Sequence, residues 1–298
     1  MNDYKKYLEP KTIAQLKNIE LKARLVVEGF ITGLHRSPYH GFSVEFAEHR
    51  QYQAGDELKY IDWKVYGRTD KYFVKQFEEE TNLRSIIALD SSASMKFASK
   101  GNISKFEYAS YLSAAISYLL IKQRDAVGLA LYDTKLNTYL PPRSKQSYIY
   151  EILRHIAATE PSNQTGTSQA LDELAERIKR RGLIVIFSDF FDDAQSVLNA
   201  LKHFRHKNHE VIAFHILDPR EIDFKFGFGA NFKDMETGEE LITQPYQIQK
   251  AYREKLHEFT NTLKKECYAH NIEYQIINTE DTFDKALREF LAKRNRVQ

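Results

Sequence analysis

The stretch LRSIIALDSSASM, residues Leu83–Met95, joins a short apolar run to a group of oxygen-bearing side chains. The apolar part, Arg84–Leu89, contains β-branched residues and predicts a buried strand. Asp90 follows this run directly, with Ser92 and Ser94 at alternate positions after it. Since alternate residues of an extended chain face the same way, we expect one carboxylate and two hydroxyls to converge just past the strand. In open α/β sheets, ligands bind at that carboxyl edge.

A carboxylate with two hydroxyls is an oxygen-only ligand set, which suits a hard divalent cation such as Mg²⁺ or Mn²⁺. A purely structural interpretation is also open. Asp90 can cap the helix that follows, and the two serines can satisfy a turn.

The chain after Leu83 alternates strands with helices, which predicts a mostly parallel, doubly wound α/β sheet with helices on both faces. The further predicted strands are Ala126–Tyr132, Lys135–Leu140 (a hairpin partner ended by Pro141–Pro142), Leu183–Phe187, Val211–Leu217 and Glu273–Ile277. The predicted helices are Phe106–Gln123, Ser144–Ala158, Thr167–Arg180, Ala194–His206, Ile248–His270 and Thr282–Arg294. Residues 220–247 predict a hairpin or surface excursion.

Two more oxygen-bearing residues stand at loops of the predicted sheet. Thr167 opens a helix after Gly166, and Asp189 ends the LIVIF strand. The carboxyl ends of parallel strands share one edge, so these residues are expected to meet Asp90 there. Two acids and three hydroxyls would surround one ion and leave room for water or a partner's carboxylate. Alternatively, Thr167 and Asp189 are plain helix caps.

The N-terminal part of the chain has a different character. Residues 1–30 predict an amphipathic helix, and residues 34–82 are dense in charged and aromatic side chains without helical periodicity. Short alternating pieces at Phe42–Phe46 and Tyr72–Phe77 predict strands. We therefore expect an N-terminal helical and β-rich appendage over residues 1–82 and an α/β domain over residues 83–298.

The appendage is a second candidate surface, because Trp, Tyr and Arg dominate interaction hot spots. The alternative is a small β-rich segment held together by aromatic packing and surface ion pairs. The candidate partner-binding residues are Arg50, Asp56, Asp62 and Trp63.

Composition excludes several classes of function. The 43 Lys and Arg residues are matched by 41 acidic residues, which leaves no electrostatic footprint for nucleic acid. A lone cysteine, Cys267, excludes an intramolecular disulfide and a cysteine-based zinc site. The N-terminus lacks the apolar core of a signal peptide, and no apolar run reaches the ~18 residues of a membrane span. We expect a soluble, cytoplasmic protein.

The motif DxSxS at Asp90, Ser92 and Ser94, with Thr167 and Asp189, resembles the metal-ion-dependent adhesion site of von Willebrand factor A domains. The preceding segment, residues 37–84 (SPYHGFSVEFAEHRQYQAGDELKYIDWKVYGRTDKYFVKQFEEETNLR), is similar to the signature of domain-of-unknown-function family 58, which continues into LDSSASM. The resemblance covers roughly residues 35–220 and implies a von Willebrand A-like fold.

Proteins of this family usually accompany MoxR-type AAA+ ATPases. The resemblance therefore implies a non-enzymatic adaptor that binds Mg²⁺ (or Mn²⁺) and acts with such an ATPase on a protein client. A partner's Asp or Glu would complete the metal shell. One position departs from the pattern: many A domains have Gly after the final Asp, whereas this chain has Phe190, which is expected to narrow or cover the metal-binding edge.

Two other functions stay open. The chain can be an A-type scaffold whose metal site is vestigial. It can also be a metal-dependent phosphohydrolase with Asp90 as nucleophile, but that chemistry would need a second carboxylate two residues on, where this chain has Ser92, and the sequence indicates no suitable lysine.

Overall fold

The computed structural model describes residues 9–16, 18–35, 50–52, 63–74, 83–162, 166–226, 230–233 and 240–297. The chain divides into two compact units, residues 1–33 with 82–298, and residues 34–81. The N-terminal helices therefore belong with the α/β domain, whereas the sequence predicted one appendage over residues 1–82. One contact that joins them is the hydrogen bond that Lys22 Nζ donates to the Tyr111 hydroxyl of the α/β domain at 2.7 Å.

The helices and strands follow the predicted alternation. The helices are α1 Pro10–Ala14, α2 Ile19–His35, α3 Trp63–Thr69, α4 Lys105–Lys122, α5 Tyr148–Ala158, α6 Thr167–Arg177, α7 Ala194–His206, α8 Pro219–Asp223, α9 Pro245–Ala269 and α10 Phe283–Val297. The strands are β1 Arg50–Gln51, β2 Phe73–Val74, β3 Arg84–Asp90, β4 Ala126–Tyr132, β5 Leu136–Arg143, β6 Leu183–Ser188, β7 Glu210–Leu217, β8 Ala230–Lys233, β9 Glu240–Thr243 and β10 Glu273–Asn278. A short 3₁₀ helix, Ala93–Lys96, follows β3.

The central sheet has the strand order β10-β7-β6-β3-β4-β5. Every neighbouring pair is parallel except β4 and β5, which are antiparallel. The chain moves outward from β3 in one direction through β4 and β5, and in the other through β6, β7 and β10. The strand order thus reverses between β3 and β6, and such a switch point forms a crevice at the carboxyl ends of the strands. This topology confirms the predicted doubly wound, von Willebrand A-like fold.

Both faces of the sheet are covered by helices, as predicted. Alternate strand residues such as Ile86 and Ile184 form one apolar core with residues of α6, α7 and α9. On the other face, α4 contacts β3 and β4, and α10 contacts β7. All residues of β3 after Arg84 are buried, so the strand that carries Asp90 lies at the centre of the domain.

The expected end of the fifth strand at Pro141–Pro142 is wrong, because β5 continues to Arg143. The strand is at the sheet edge, where a residue without an N–H is tolerated. The pairing with β4 shifts register between Val127 and Leu129. Gly128 lies at this irregularity, and a Cβ added there would be 2.4 Å from the Leu140 carbonyl oxygen.

Gly128→Ala is therefore expected to lower the free energy of unfolding by about 1–3 kcal/mol, the usual cost of overpacking. Denaturant unfolding would measure it. Gly67→Ala is the matched control, because a Cβ there meets no atom within 4 Å. Equal stability of Gly128→Ala and the wild-type protein would show that the edge strand moves away freely.

The smaller unit contains a helix that the sequence did not predict, α3. A helix of seven residues is too short to show clear periodicity. Tyr66 of α3 stacks on Tyr72 with ring centroids 4.5 Å apart. The antiparallel pair β1–β2 places one strand inside the predicted Tyr72–Phe77, whereas Phe42–Phe46 lies outside the described residues.

Two other expectations concern parts of the α/β unit outside its central sheet. The predicted excursion at residues 220–247 contains the antiparallel hairpin β8–β9, which confirms the hairpin. The single helix expected over residues 1–30 is divided into α1 and α2. In the part of the chain that the structure describes, no helix combines the length and apolarity needed to cross a membrane.

Candidate metal site

Asp90 lies at the end of β3 and is completely buried. Its Oδ1 accepts a hydrogen bond from the Ser92 backbone N–H at 2.9 Å, and its Oδ2 accepts one from the Ser188 hydroxyl at 2.6 Å. Burial, reinforced by the negative charge of Asp189, raises the pKa of Asp90 to about 7, although these hydrogen bonds act to lower it. In the metal-free protein, this carboxyl therefore carries only part of a negative charge near neutral pH.

The serines of the DxSxS motif connect Asp90 with Asp189. The hydroxyls of Ser92 and Ser94 are 3.1 Å apart, and the Ser94 side chain is hydrogen-bonded to Asp189. Asp189 follows the end of β6, next to β3 in the sheet. It does not cap the next helix, because the α7 cap is Asp193. The four residues predicted from strand ends therefore form one hydrogen-bonded group.

Thr167 is the first residue of α6, and its helix is capped by Gly166, so the interpretation of Thr167 as an N-cap is wrong. The Gly166 N–H donates to the Asp133 carbonyl after β4 at 3.2 Å, and the Ser168 N–H donates to Asp192 after β6 at 3.3 Å. Since β3 lies between β4 and β6, Thr167 is held at the same edge as Asp90. Its hydroxyl is buried and has no hydrogen-bond partner among the described residues.

Thr167 is one of several buried side chains with an unpaired polar atom among the described residues, but of the five predicted ligands it is the one in that state. Such a group at the carboxyl edge of the sheet requires an explanation, for example a bound ion or water. Within the described ranges, no group of three or more His, Cys, Asp or Glu side chains is arranged to hold a metal. A cation at this edge would therefore depend on the two carboxylates and on hydroxyl oxygens, including that of Thr167. The donor set is of the oxygen type that Mg²⁺ and Mn²⁺ accept.

A buried lysine beside Asp189 was not predicted from the sequence. Nζ of Lys105 lies 2.6 Å from Oδ2 of Asp189 and 2.6 Å from Oε1 of Glu221. Burial acts to lower the pKa of Lys105, but the charges of Asp189 and Glu221 raise it by more, so the ammonium stays charged. Lys105 is 84 residues from Asp189 in the chain and is the first residue of α4. A lysine at such a position is usually exposed.

Lys105 also separates the behaviour of the two acids. Burial would raise the pKa of Asp189, but the adjacent ammonium lowers it by more, so the net pKa is below its ordinary value. The pKa of Asp90, which has no cationic partner among the described residues, is raised by burial and by the charge of Asp189. The metal-free site thus holds one fixed carboxylate and one acid that titrates near neutrality.

The expectation that Phe190 covers the metal-binding edge is wrong. Phe190 has φ 51°, in the left-handed region that favours glycine, and its side chain belongs to the apolar core that includes residues of α6, α7 and α9. Its ring is fully buried and lies edge-on to His215, 5.5 Å between centroids. Phe191 is the residue that reaches the surface: it is 37% exposed, and Lys105 Nζ lies 4.9 Å from its ring centroid.

The second candidate surface lies in the smaller unit. Trp63 begins α3 and is 60% exposed. Arg50 is in β1, but its side chain is outside the described part of the chain, as are Asp56 and Asp62. A partner-binding role for these four residues stays a prediction.

The doubly wound sheet with this polar group at its switch point defines an α/β protein with a von Willebrand A-like fold, an architecture compatible with a protein-interaction module. The chain belongs to the family described as "Protein of unknown function DUF58", which it matches over residues 48–265.

Among its relatives are the uncharacterized proteins Rv1480 of Mycobacterium tuberculosis and Mb1516 of Mycobacterium bovis. Each is 29% identical over 252 residues, which cover 83% of this chain and 77% of the relative.

Similar solved structures include BatB from Bacteroides thetaiotaomicron (16% identity, TM-score 0.45, covering 72% of this chain and 99% of that one). An aerotolerance-related membrane protein from Bacteroides fragilis (17% identity, TM-score 0.48) covers the same shares of the two chains. The VWA domain of SpRpn10 (12% identity, TM-score 0.37) covers 70% of this chain and 94% of that domain.

Proposed function

We propose that this protein is a divalent-metal-dependent protein-interaction module rather than an enzyme. Its metal site would consist of Asp90, Ser92, Ser94, Thr167 and Asp189. The single observation that carries the proposal is the unpaired, buried Thr167 hydroxyl at the edge where the hydrogen-bonded DxSxS and Asp189 group lies. Mg²⁺ or Mn²⁺ would give that hydroxyl the partner it lacks.

The residues of the site have separate roles in this proposal. Asp90 is oriented by Ser188 and the Ser92 N–H, so its carboxylate is already positioned. Ser92 and Ser94 supply neutral oxygens, which hold the negative charge of the ligand set to that of two acids. A bound divalent ion would offset the repulsion between Asp90 and Asp189 and supply a positive centre for a partner's Asp or Glu. Phe191, partly exposed beside the site, offers that partner an apolar contact.

We further propose that the partner is a MoxR-type AAA+ ATPase acting on a protein client, as the family resemblance implies. Size-exclusion chromatography of the purified ATPase with this protein tests the pairing. Co-elution in Mg²⁺ that is lost in EDTA supports a metal-dependent adaptor. Co-elution that is indifferent to EDTA would instead support a scaffold with a vestigial metal site.

Calorimetric titration with Mg²⁺ and Mn²⁺ tests the metal site, and Thr167→Val is its most selective variant. Loss of an outer-shell partner already weakens metal sites by about 10–100-fold, so loss of this direct oxygen should cost at least about ten-fold. The metal-free variant should be as stable as the wild-type protein or about 1 kcal/mol more stable, because a buried hydroxyl without a partner is replaced by a methyl group.

Ser168→Ala is the matched control, because Ser168 neighbours Thr167 but its hydroxyl donates to Asp192 instead. It should leave the metal affinity unchanged. A Thr167→Val protein that binds metal as tightly as the wild type would exclude Thr167 from the site.

A phosphohydrolase is the second candidate, and Lys105 is the observation that favours it, because the lysine that the sequence did not indicate lies beside Asp189. Against this function, the residue two positions after Asp90, where a general acid would be needed, is Ser92. Mg²⁺-dependent hydrolysis of p-nitrophenyl phosphate that disappears in Asp90→Asn would establish the enzyme. The adaptor proposal expects no such turnover.

A further inference from the structure

The Lys105 ammonium is the feature of the site that the proposed function does not use. Its side chain is 1% exposed, and its Nζ is shared between Asp189 and Glu221 at equal distances of 2.6 Å. Burying a lysine is costly unless its charge is paired and hydrogen-bonded, so this arrangement requires both carboxylates. One of those carboxylates is a proposed metal ligand, and the other belongs to α8.

Glu221 is itself held in place by the fold. It is the N3 residue of a capping box in which its side chain accepts a hydrogen bond from the Asp218 N–H at 2.8 Å. Asp218 in turn accepts hydrogen bonds from the backbone N–H and hydroxyl of Ser99, which lies in the loop between the 3₁₀ helix and α4. Glu221, the second carboxylate that binds the Lys105 ammonium, is therefore held in place by its hydrogen bond to Asp218, which is itself bound by Ser99.

We propose that Lys105 is an internal cation that holds down the affinity of the site for divalent metal and raises its affinity for an anionic partner. This inference rests on the proposed metal site. Lys105 occupies Oδ2 of Asp189, so that oxygen is withheld from a metal ion. Its charge also repels a second cation a few ångströms away, and burial strengthens that repulsion.

The same charge acts in the opposite direction on a partner's carboxylate. With metal bound, Lys105 leaves the site one unit more positive than the carboxylates and ion alone would make it. An incoming Asp or Glu is therefore attracted more strongly than it would be without the lysine. Lys105 thus lowers the affinity for metal in the absence of a partner and raises the affinity of the metal-bound site for an acidic group. Metal binding and partner binding therefore depend on each other.

The test compares Mn²⁺ affinity, measured by calorimetry, in the wild-type protein and in two variants with opposite expected signs. Lys105→Met should bind Mn²⁺ at least about ten-fold more tightly, because the competing charge is gone. Glu221→Gln should bind it more weakly, because Lys105 is then left to Asp189 alone. Lys22→Met is the matched control: Lys22 is also buried, but it donates to the Tyr111 hydroxyl instead of to an acid of the site. Its Mn²⁺ affinity should equal that of the wild type.

Acetate, titrated into the Mn²⁺-saturated proteins, reports the second half of the proposal. Lys105→Met should bind acetate more weakly than the wild type, although it binds the metal more tightly. A merely structural lysine would not move the two affinities in opposite directions. If Lys105→Met does not fold without metal, it is refolded with Mn²⁺ present. The Mn²⁺ affinity of Glu221→Gln, relative to the wild type, then tests whether Lys105 opposes metal binding.

The outcomes separate this inference from the proposed function. If the wild type binds Mn²⁺ and Lys105→Met binds it no more tightly, the role of Lys105 is overturned and the metal site stands. The same conclusion follows if Glu221→Gln binds Mn²⁺ more tightly than the wild type. Binding by Lys105→Met alone supports the inference, since the wild-type lysine then closes the site. If neither the wild type nor either variant binds Mn²⁺, both the inference and the proposed metal site are overturned.

Discussion

In the absence of divalent metal at pH 7.5, Asp90→Asn is expected to be more stable than the wild-type protein by about 1–4 kcal/mol. The pKa of Asp90 is raised by burial and by Asp189 to about 7, whereas an unfolded Asp has a pKa of about 3.9. Between these values the folded protein keeps a proton that the unfolded chain has lost. Stability therefore falls as pH rises through this window, at about 1.4 kcal/mol per pKa unit, and the upper limit of the loss is about 4 kcal/mol. Asparagine carries no charge and removes the loss.

Denaturant unfolding at pH 5 and pH 7.5 in EDTA measures this effect. The wild-type protein should lose stability over that interval relative to Asp90→Asn. The control is Asp193→Asn, since Asp193 has a lowered pKa from its hydrogen bonds to Ser196 and contributes with the opposite sign. Its pH dependence between 5 and 7.5 should match the wild type. Equal slopes in the wild type and Asp90→Asn would mean that Asp90 is ionised throughout, and the account of its burial would be wrong.

Metal addition should reverse the ranking of the two proteins. At pH 7.5, saturating Mg²⁺ is expected to stabilise the wild type, because binding favours the folded, ionised form of Asp90. Asp90→Asn lacks the anionic ligand and should gain nothing. A variant that is more stable without metal and unresponsive to it would show that the site is kept at the expense of stability.

The sheet and the strand-end acids were predictable because each depends on local sequence. Strand β3 is a continuous apolar run, and its observed end differs from the predicted end only in including Asp90. The positions of Asp90 and Asp189 follow from their places at the ends of two strands, once those strands are known to be parallel. Thr167 required only the further knowledge that its helix starts at the same edge.

The rest depends on contacts between distant parts of the chain. Lys105 meets Glu221 across 116 residues, and no local pattern marks either as buried. The strand β5 crosses two prolines, which only its position at the edge of the sheet permits. Phe190 was taken to cover the site because the sequence gives a residue's size but not its backbone angle.

That last correction leads to a second large effect. Phe190→Ala is expected to lower the free energy of unfolding by about 3–5 kcal/mol, the usual cost of truncating a fully buried phenylalanine. Mn²⁺ affinity in the folded variant should change little, because the ring is fully buried in the apolar core. Phe190→Gly should be no less stable than Phe190→Ala, contrary to the usual ranking, because glycine adopts φ 51° without strain.

Denaturant unfolding and Mn²⁺ calorimetry of these variants separate the two possible places of the ring. Phe190→Leu keeps most of the volume and serves where the smaller residues do not fold. Phe191→Ala should cost less stability than Phe190→Ala, because the Phe191 ring is 37% exposed whereas the Phe190 ring is fully buried. A ring that covered the site would give the reverse pattern, with tighter metal binding and little loss of stability in Phe190→Ala. The left-handed turn at Phe190 therefore allows a bulky residue to follow the final acid without closing the metal site.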